Sequence, residues 1–357
     1  MTTLKILAGP KAYTQIKKNG LAPADISAVF GASGAAKWLT IYGLDSAIFS
    51  QWLANSEQTI DLFGTSVGAF KLAAASQADC TKALDLLADA YINQHYEGKV
   101  TAAQVAIETT RILNTFLSPQ SIDEILTNSR YNYHCGAVLC KGLLASDNVN
   151  VQKLAMAKAF LLSLIGRNAL SKTFDRAVFT SGKPQFDFSG LDAYATHKVV
   201  LTKDNFRDAI LSSGSIPVVM PGVANVAGGP LGKYRDGGLL DYHPVPSNIA
   251  NIDKGLVLYP HFYTEVKEGW FDKFAPGRIV SAKQLDNIVL IGPSESFVKS
   301  LPGGAIPDRK DFYTFKGNDE ERIRRWTIAK DRSCELGEEF MQLANSGDIA
   351  ARVEPLL

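Results

Sequence analysis

Short continuous apolar runs alternate along this chain with longer stretches in which apolar residues recur every three or four positions. The runs at 4–8, 26–30, 59–63, 176–180, 197–201, 255–259 and 288–291 are rich in Ile, Val, Leu and Phe and predict strands. Helical spacing follows Pro10 and recurs at 69–75, 82–96, 101–117 and 151–170. Strands without polar alternation must be covered on both faces, and strands separated by helices pair most readily in parallel. The expected fold class is therefore α/β, a mostly parallel sheet flanked by helices.

From 78 to 170 the helical period dominates, interrupted only at 131–144, where a strand or hairpin is expected. This block reads as a helical layer or cap over one side of the sheet. Beyond Gly292, Pro293, Pro302, Gly303, Gly304 and Pro307 predict loops, followed by charged helices at 319–330 and 333–345 that pack at the periphery. No Pro/Gly/Ser-rich linker and no internal repeat divides the chain. Residues 1–357 are thus expected to form a single domain, with 78–170 as its cap and 293–357 as its peripheral C-terminal part.

Composition narrows the classes of function. A 46% hydrophobic content supplies a sizeable core, and 37 Lys and Arg against 36 Asp and Glu leave a net charge of +1. No basic field suggests a nucleic acid as partner, and bulk charge does not favour a membrane. Cys80, Cys135, Cys140 and Cys334 form no Cys-x-x-Cys pair, and only His134 lies near any of them, so no metal site is expected. Reduced thiols and the lack of an apolar secretory core within residues 1–30 predict a cytoplasmic protein. The longest apolar segment, 154–165, carries Lys158 and is too short to cross a bilayer.

Candidate chemistry is concentrated in Gly64-Thr65-Ser66-Val67-Gly68, which lies where the strand at 59–63 turns into the helix at 69–75. A sharp strand-to-helix turn exposes the central serine, while side chains at Gly64 or Gly68 would collide with neighbouring backbone. The following helix turns its free N–H groups toward an anion formed at that serine. Upstream, the strand at 28–30 runs into Gly31-Ala32-Ser33-Gly34-Ala35-Ala36-Lys37, a loop of small residues whose N–H groups could approach a ligand oxygen. Downstream, Asp236 precedes Gly237 and Gly238, a turn from which its carboxylate can project. Between them, 209–221 reads as a helix end running into a strand bounded by Pro217 and Pro221.

In this order the small-residue loop, Gly-Thr-Ser-Val-Gly, Ser212-Ser213-Gly214-Ser215-Ile216-Pro217 and Asp236-Gly237-Gly238 resemble the patatin-like phospholipase family, over residues 26–246. The resemblance implies a patatin-like three-layer α/β/α fold with a helical cap segment, and a serine acyl-ester hydrolase working as a lipid acyl hydrolase or phospholipase A. Ser66 matches the family's nucleophile and Asp236 the aspartate that completes its Ser-Asp dyad, with no cofactor and no metal. The family's oxyanion loop, Gly-Gly-Gly-x-Arg/Lys-Gly, matches Ser33-Gly34-Ala35-Ala36-Lys37-Trp38, with Lys37 in the basic position and Gly43 as the later helix glycine. Three of its four glycines are replaced, the last of them by Trp38. Gly34, Ala35 and Val67 are then the oxyanion donors.

Two other readings stay open at this level. An α/β-hydrolase would combine Ser66 and Asp236 with His243 or His261, and a lipid-binding module of the same fold would perform no catalysis. The implied partner is a lipid or acyl-ester substrate. Phe262, Tyr263 and the run 270–274, interleaved with Lys267 and Arg278, would either pack a loop or form an aromatic and basic rim for transient contact with a membrane surface. No pattern specifies an oligomeric state.

Overall fold

The computed structural model describes residues 2–356 apart from 55, 97, 99, 183, 187–191 and 246–254. Pro246, the last residue of the resembling stretch, lies outside them. The strands are β1 (Leu4–Ala8), β2 (Ile26–Gly31), β3 (Ile60–Thr65), β4 (Tyr131–Cys140), β5 (Phe174–Thr180), β6 (Thr196–Val200), β7 (Val223–Ala224), β8 (Lys233–Asp236), β9 (Leu256–Pro260), β10 (Ile288–Pro293) and β11 (Glu354–Pro355). They form one sheet in the order β11-β1-β10-β9-β2-β3-β4-β5-β6, with β8 on β4 and β7 on β8. Neighbours from β10 through β4 run parallel, while β1 against β10 and β4 against β5 and β8 are antiparallel. The fold is therefore an open α/β sheet, mostly parallel and flanked by helices. Each strand predicted from a continuous apolar run is present; β3, β4, β5, β9 and β10 are buried along their whole length, and β2 everywhere but at Ser27.

The ten residues of β4 organise the centre of the molecule. Its first part, Tyr131 to Gly136, pairs with β3, and its last part, Ala137 to Cys140, pairs with β8. Since β5 occupies the other edge of β4 from His134 onward, β3 and β8 must share one edge, arriving from opposite ends. Thr65 therefore lies opposite Gly136 and Asp236 opposite Ala137, the next residue along. Two strand ends 171 residues apart in sequence meet end to end.

Of the strand or hairpin expected at 131–144, the structure has the strand, central in the sheet and followed by a short 3-10 turn, Gly142–Ala145. The same block of sequence forms the helices Cys80–Ile92, Ala102–Phe116, Pro119–Leu126 and Val149–Ile165. One expectation is corrected at 214–221. Ile216, Val218 and Val219 suggest a strand, but the backbone closes into consecutive turns after the helix Phe206–Ser213, with Val219 N–H and Met220 N–H both donating to Ile216 O. A second correction is that Asp236 ends a buried strand instead of standing in a free turn. Helix Cys334–Ser346 packs closely on Tyr42–Ala47, where a side chain at Gly43 would come within 2.4 Å of Cys334 Cα. Among the described residues no helix is long and apolar enough to cross a membrane.

Candidate active site

Ser66 stands between β3 and the helix Val67–Ala75 with φ 53° and ψ −131°, a conformation L-residues adopt at a cost of roughly 1–2 kcal/mol. The glycines on either side make the turn feasible. A Cβ at Gly64 would sit 2.5 Å from Gly68 C and O, and one at Gly68 would sit 2.1 Å from Gly31 O. Strand β2, the elbow and the helix can approach one another only because these side chains are missing.

Ser66 Oγ donates to Asp236 Oδ2 at 2.7 Å, and the Gly238 N–H donates to Asp236 Oδ1 at 2.7 Å. The run 212–217 braces both partners. Ser213 Oγ accepts from the Ser66 N–H at 3.0 Å and donates to Gly136 O at 2.6 Å, while Ser215 O accepts from the Asp236 N–H at 3.0 Å. Behind them, Thr65 Oγ1 donates to Asp241 O at 2.6 Å, which leaves Ser33 Oγ as donor to Thr65 Oγ1 at 2.8 Å. The glycines after Asp236 are close-approach positions: a Cβ at Gly237 would lie 2.1 Å from Gly136 O, and one at Gly238 would lie 2.5 Å from Ser33 Oγ. Burial pushes the Asp236 carboxyl up to about 6, with the hydrogen bonds from Ser66 and the Gly238 N–H opposing that rise.

The small-residue loop meets this pair from β2. Gly34 is extended at φ 177°, and a Cβ there would come 2.4 Å from the Phe262 ring. Ala35 takes φ 51° and opens a 3-10 helix, Ala35–Ile41. Ala35 and Val67 are the first residues of their helices, and their N–H groups have no carbonyl within the helix to donate to. Lys37 pairs with Asp308. Three of the four non-glycine residues with positive φ among those described, Ala35, Ser66 and Val218, line the same cavity. Strain concentrated in this way marks a site that the surrounding fold holds against local preference.

Two lobes open from Ser66. One, of about 1020 Å³, is lined by Asp236 and by charged and aromatic residues that include Lys37, Tyr263, Lys273 and Arg309. Lys273 Nζ stands 3.4 Å from the Tyr242 ring centroid. The other lobe, of about 610 Å³, is walled by Val67, Phe70, Tyr91, Ile112, Met220 and Phe312. Both volumes lie in or at the edge of the range of small-molecule sites.

His243 lines the larger lobe, but its Nδ1 accepts from the Lys267 N–H at 2.8 Å and its ring stacks on Tyr242. Among the described residues no histidine hydrogen-bonds Ser66 or Asp236. Burial holds His243 well below 6.5, the neighbouring His261 adding to the effect, and pushes His261 down to about 3.

No protein-family model matches this sequence, and no curated protein matches it. Among solved structures the chain is similar to VipD from Legionella pneumophila, at 12% identity and a TM-score of 0.37, covering 88% of this chain and 67% of that one. A likeness that distant carries no statement about chemistry, which stands on the residues themselves.

Sequence reasoning singled out Ser66, Asp236 and the loop at 33–37, and the structure brings all three to one cavity. Tyr263, Lys267, Trp270, Lys273 and Phe274 of the expected aromatic and basic rim also line it, whereas Phe262 is buried behind Gly34. Arg309 and Phe312 were missed because the segment after Pro307 reads only as loop. Ile112 was missed because helical spacing alone does not say which neighbour a face meets.

Proposed function

We propose that this chain is a serine acyl-ester hydrolase of the patatin-like type, a lipid acyl hydrolase with phospholipase A-like chemistry. The observation that carries the reading is the 2.7 Å hydrogen bond from Ser66 Oγ to Asp236 Oδ2 at a strained elbow open to two lobes. A carboxylate already accepting the serine proton is placed to act as its base.

Ser66 Oγ attacks the ester carbonyl carbon as its proton passes to Asp236. The carbonyl oxygen becomes an oxyanion held by the N–H groups of Gly34, Ala35 and Val67. Collapse expels the alcohol, which takes the proton from Asp236 and leaves an acyl-serine. Water then attacks that carbonyl and gives its proton to Asp236, and release of the fatty acid returns the proton to Ser66. The smaller lobe, with Val67, Phe70, Ile112 and Met220 in its wall, takes the acyl chain and the larger lobe the alcohol portion.

A Ser-His-Asp arrangement is less well supported, because His243 is engaged with the backbone of Lys267 and burial keeps it neutral. The deciding experiment measures hydrolysis of p-nitrophenyl acyl esters and labelling by a fluorophosphonate probe. Wild type should turn over and label, and Ser66→Ala should lose both while keeping its fold, with turnover down by several orders of magnitude. A wild-type chain that neither labels nor hydrolyses would favour the non-catalytic lipid-binding module. Full turnover by Ser66→Ala would end the assignment.

A further inference from the structure

Helix Val149–Ile165 is apolar on nearly every face, yet it turns its large side chains the wrong way for a core helix. It fully buries Gln152, Ala155, Ala159 and Ser163. Outward it presents Leu154, Leu161, Leu164 and Ile165, which are 64%, 62%, 53% and 81% exposed. A surface helix of a soluble protein ordinarily does the reverse, and a contiguous outward apolar face marks a surface that meets something else.

The inner side of this helix forms part of the cavity wall. Gln152 Oε1 accepts from the N–H of strained Val218 at 2.5 Å, and Met156 lines the lobe that holds Ser66. Phe160 packs edge-on against Phe274 at 5.7 Å, and Arg278 donates to Ser163 O. Phe274 is itself exposed while lining the cavity, and Ile279, next to Arg278, is exposed as well. The apolar face therefore borders the mouth that leads to Ser66.

Charge selects the occupant. From 149 to 172 the chain contains no Asp or Glu, while Lys153 and Lys158 are exposed on the helix and, among the described residues, have no ion-pair partner. Asp147, just before the helix, is taken up by Lys233 and Arg235. Leucines flanked by unpaired lysines suit an interface of acyl chains beneath anionic headgroups. We propose that the outer face of Val149–Ile165, extended by Phe274 and Ile279, is a docking surface for an anionic phospholipid bilayer. It rests on the acyl-ester reading for its purpose, delivering lipid to Ser66, and not for its geometry.

The test is flotation of the full chain with vesicles of phosphatidylcholine, with and without phosphatidylglycerol, using Ser66→Ala so that the lipid is not consumed. The chain should float with the anionic vesicles. Adding Leu161→Glu and Ile165→Glu should lower partitioning by about tenfold or more, since buried leucine-sized groups are lost from the interface. Lys153→Glu with Lys158→Glu should lower it roughly fivefold or more per lysine, on anionic vesicles only. These positions are exposed, so unchanged thermal unfolding should accompany each variant. In the otherwise wild-type chain, Leu161→Glu with Ile165→Glu should leave hydrolysis of a soluble short-chain ester unaltered. Equal flotation of the glutamate variants and wild type would overturn the proposal. So would a chain that ignores both vesicles but sediments as a dimer split by Leu161→Glu, since the face would then belong to a second copy. Because flotation is read without turnover, failure of ester hydrolysis and failure of docking remain separable.

Discussion

Replacing Asp236 by Asn should make this protein more stable and inactive at once. The carboxyl is buried, and desolvation raises it from 3.8 to about 6. Between those values the native protein keeps a proton that the unfolded chain has lost, so stability falls as pH rises through that window and stays low above it. A rise of this size corresponds to about 3 kcal/mol at ~1.36 kcal/mol per pH unit. Asn carries no charge to desolvate, and its Oδ1 can still accept from the Gly238 N–H. Asp236→Asn should therefore unfold about 2–3 kcal/mol less readily at pH 8 in urea. With ~2.1 cal/mol/K of unfolding entropy per residue, that is a rise in Tm of about 3–4 °C. The advantage should shrink to about half by pH 5, as wild-type Asp236 regains its proton. Turnover should fall by roughly 10²–10⁴-fold, the usual value of a positioned base. A variant no more stable than wild type at pH 8, or a gain that does not decline on acidification, would refute the argument from burial.

The remaining predictions concern the base and the acyl lobe. His243→Ala and His261→Ala should retain most turnover, and kcat/KM in wild type and both variants should fall below about pH 6, where Asp236 becomes protonated. A histidine base at His261 would place that limb near its lowered value of about 3, so loss of turnover in either folded variant points to a triad. Ile112→Trp should crowd the lobe of about 610 Å³ and reduce kcat/KM for long-chain esters while sparing butyryl esters. Each acyl methylene excluded should cost ~0.8 kcal/mol, about fourfold, and equal losses at all chain lengths would remove the acyl chain from that lobe.

Most of the sheet was legible in the sequence, because a strand buried on both faces needs a continuous apolar run and little else in this chain produces one. The elbow at Ser66 was legible for a similar reason: only glycine tolerates backbone atoms at 2.1–2.5 Å from its Cβ position, so Gly64 and Gly68 record the contact directly. Strand β8 left no such trace. Its Lys-Tyr-Arg-Asp pattern has no apolar run, and Arg235 is buried only because Leu144 O, Ser146 O, Met220 O and Asp147 accept its hydrogen bonds. The run 214–221 misled in the opposite direction, since its β-branched residues line a cavity from turns. Sequence thus determined the candidate nucleophile and the layers around it. Only the tertiary structure decided that β3 and β8 meet end to end on β4, placing Asp236 against Ser66 where burial lifts its carboxyl. It also decided that the leucines of Val149–Ile165 face outward, because helical periodicity specifies a face but not what that face meets.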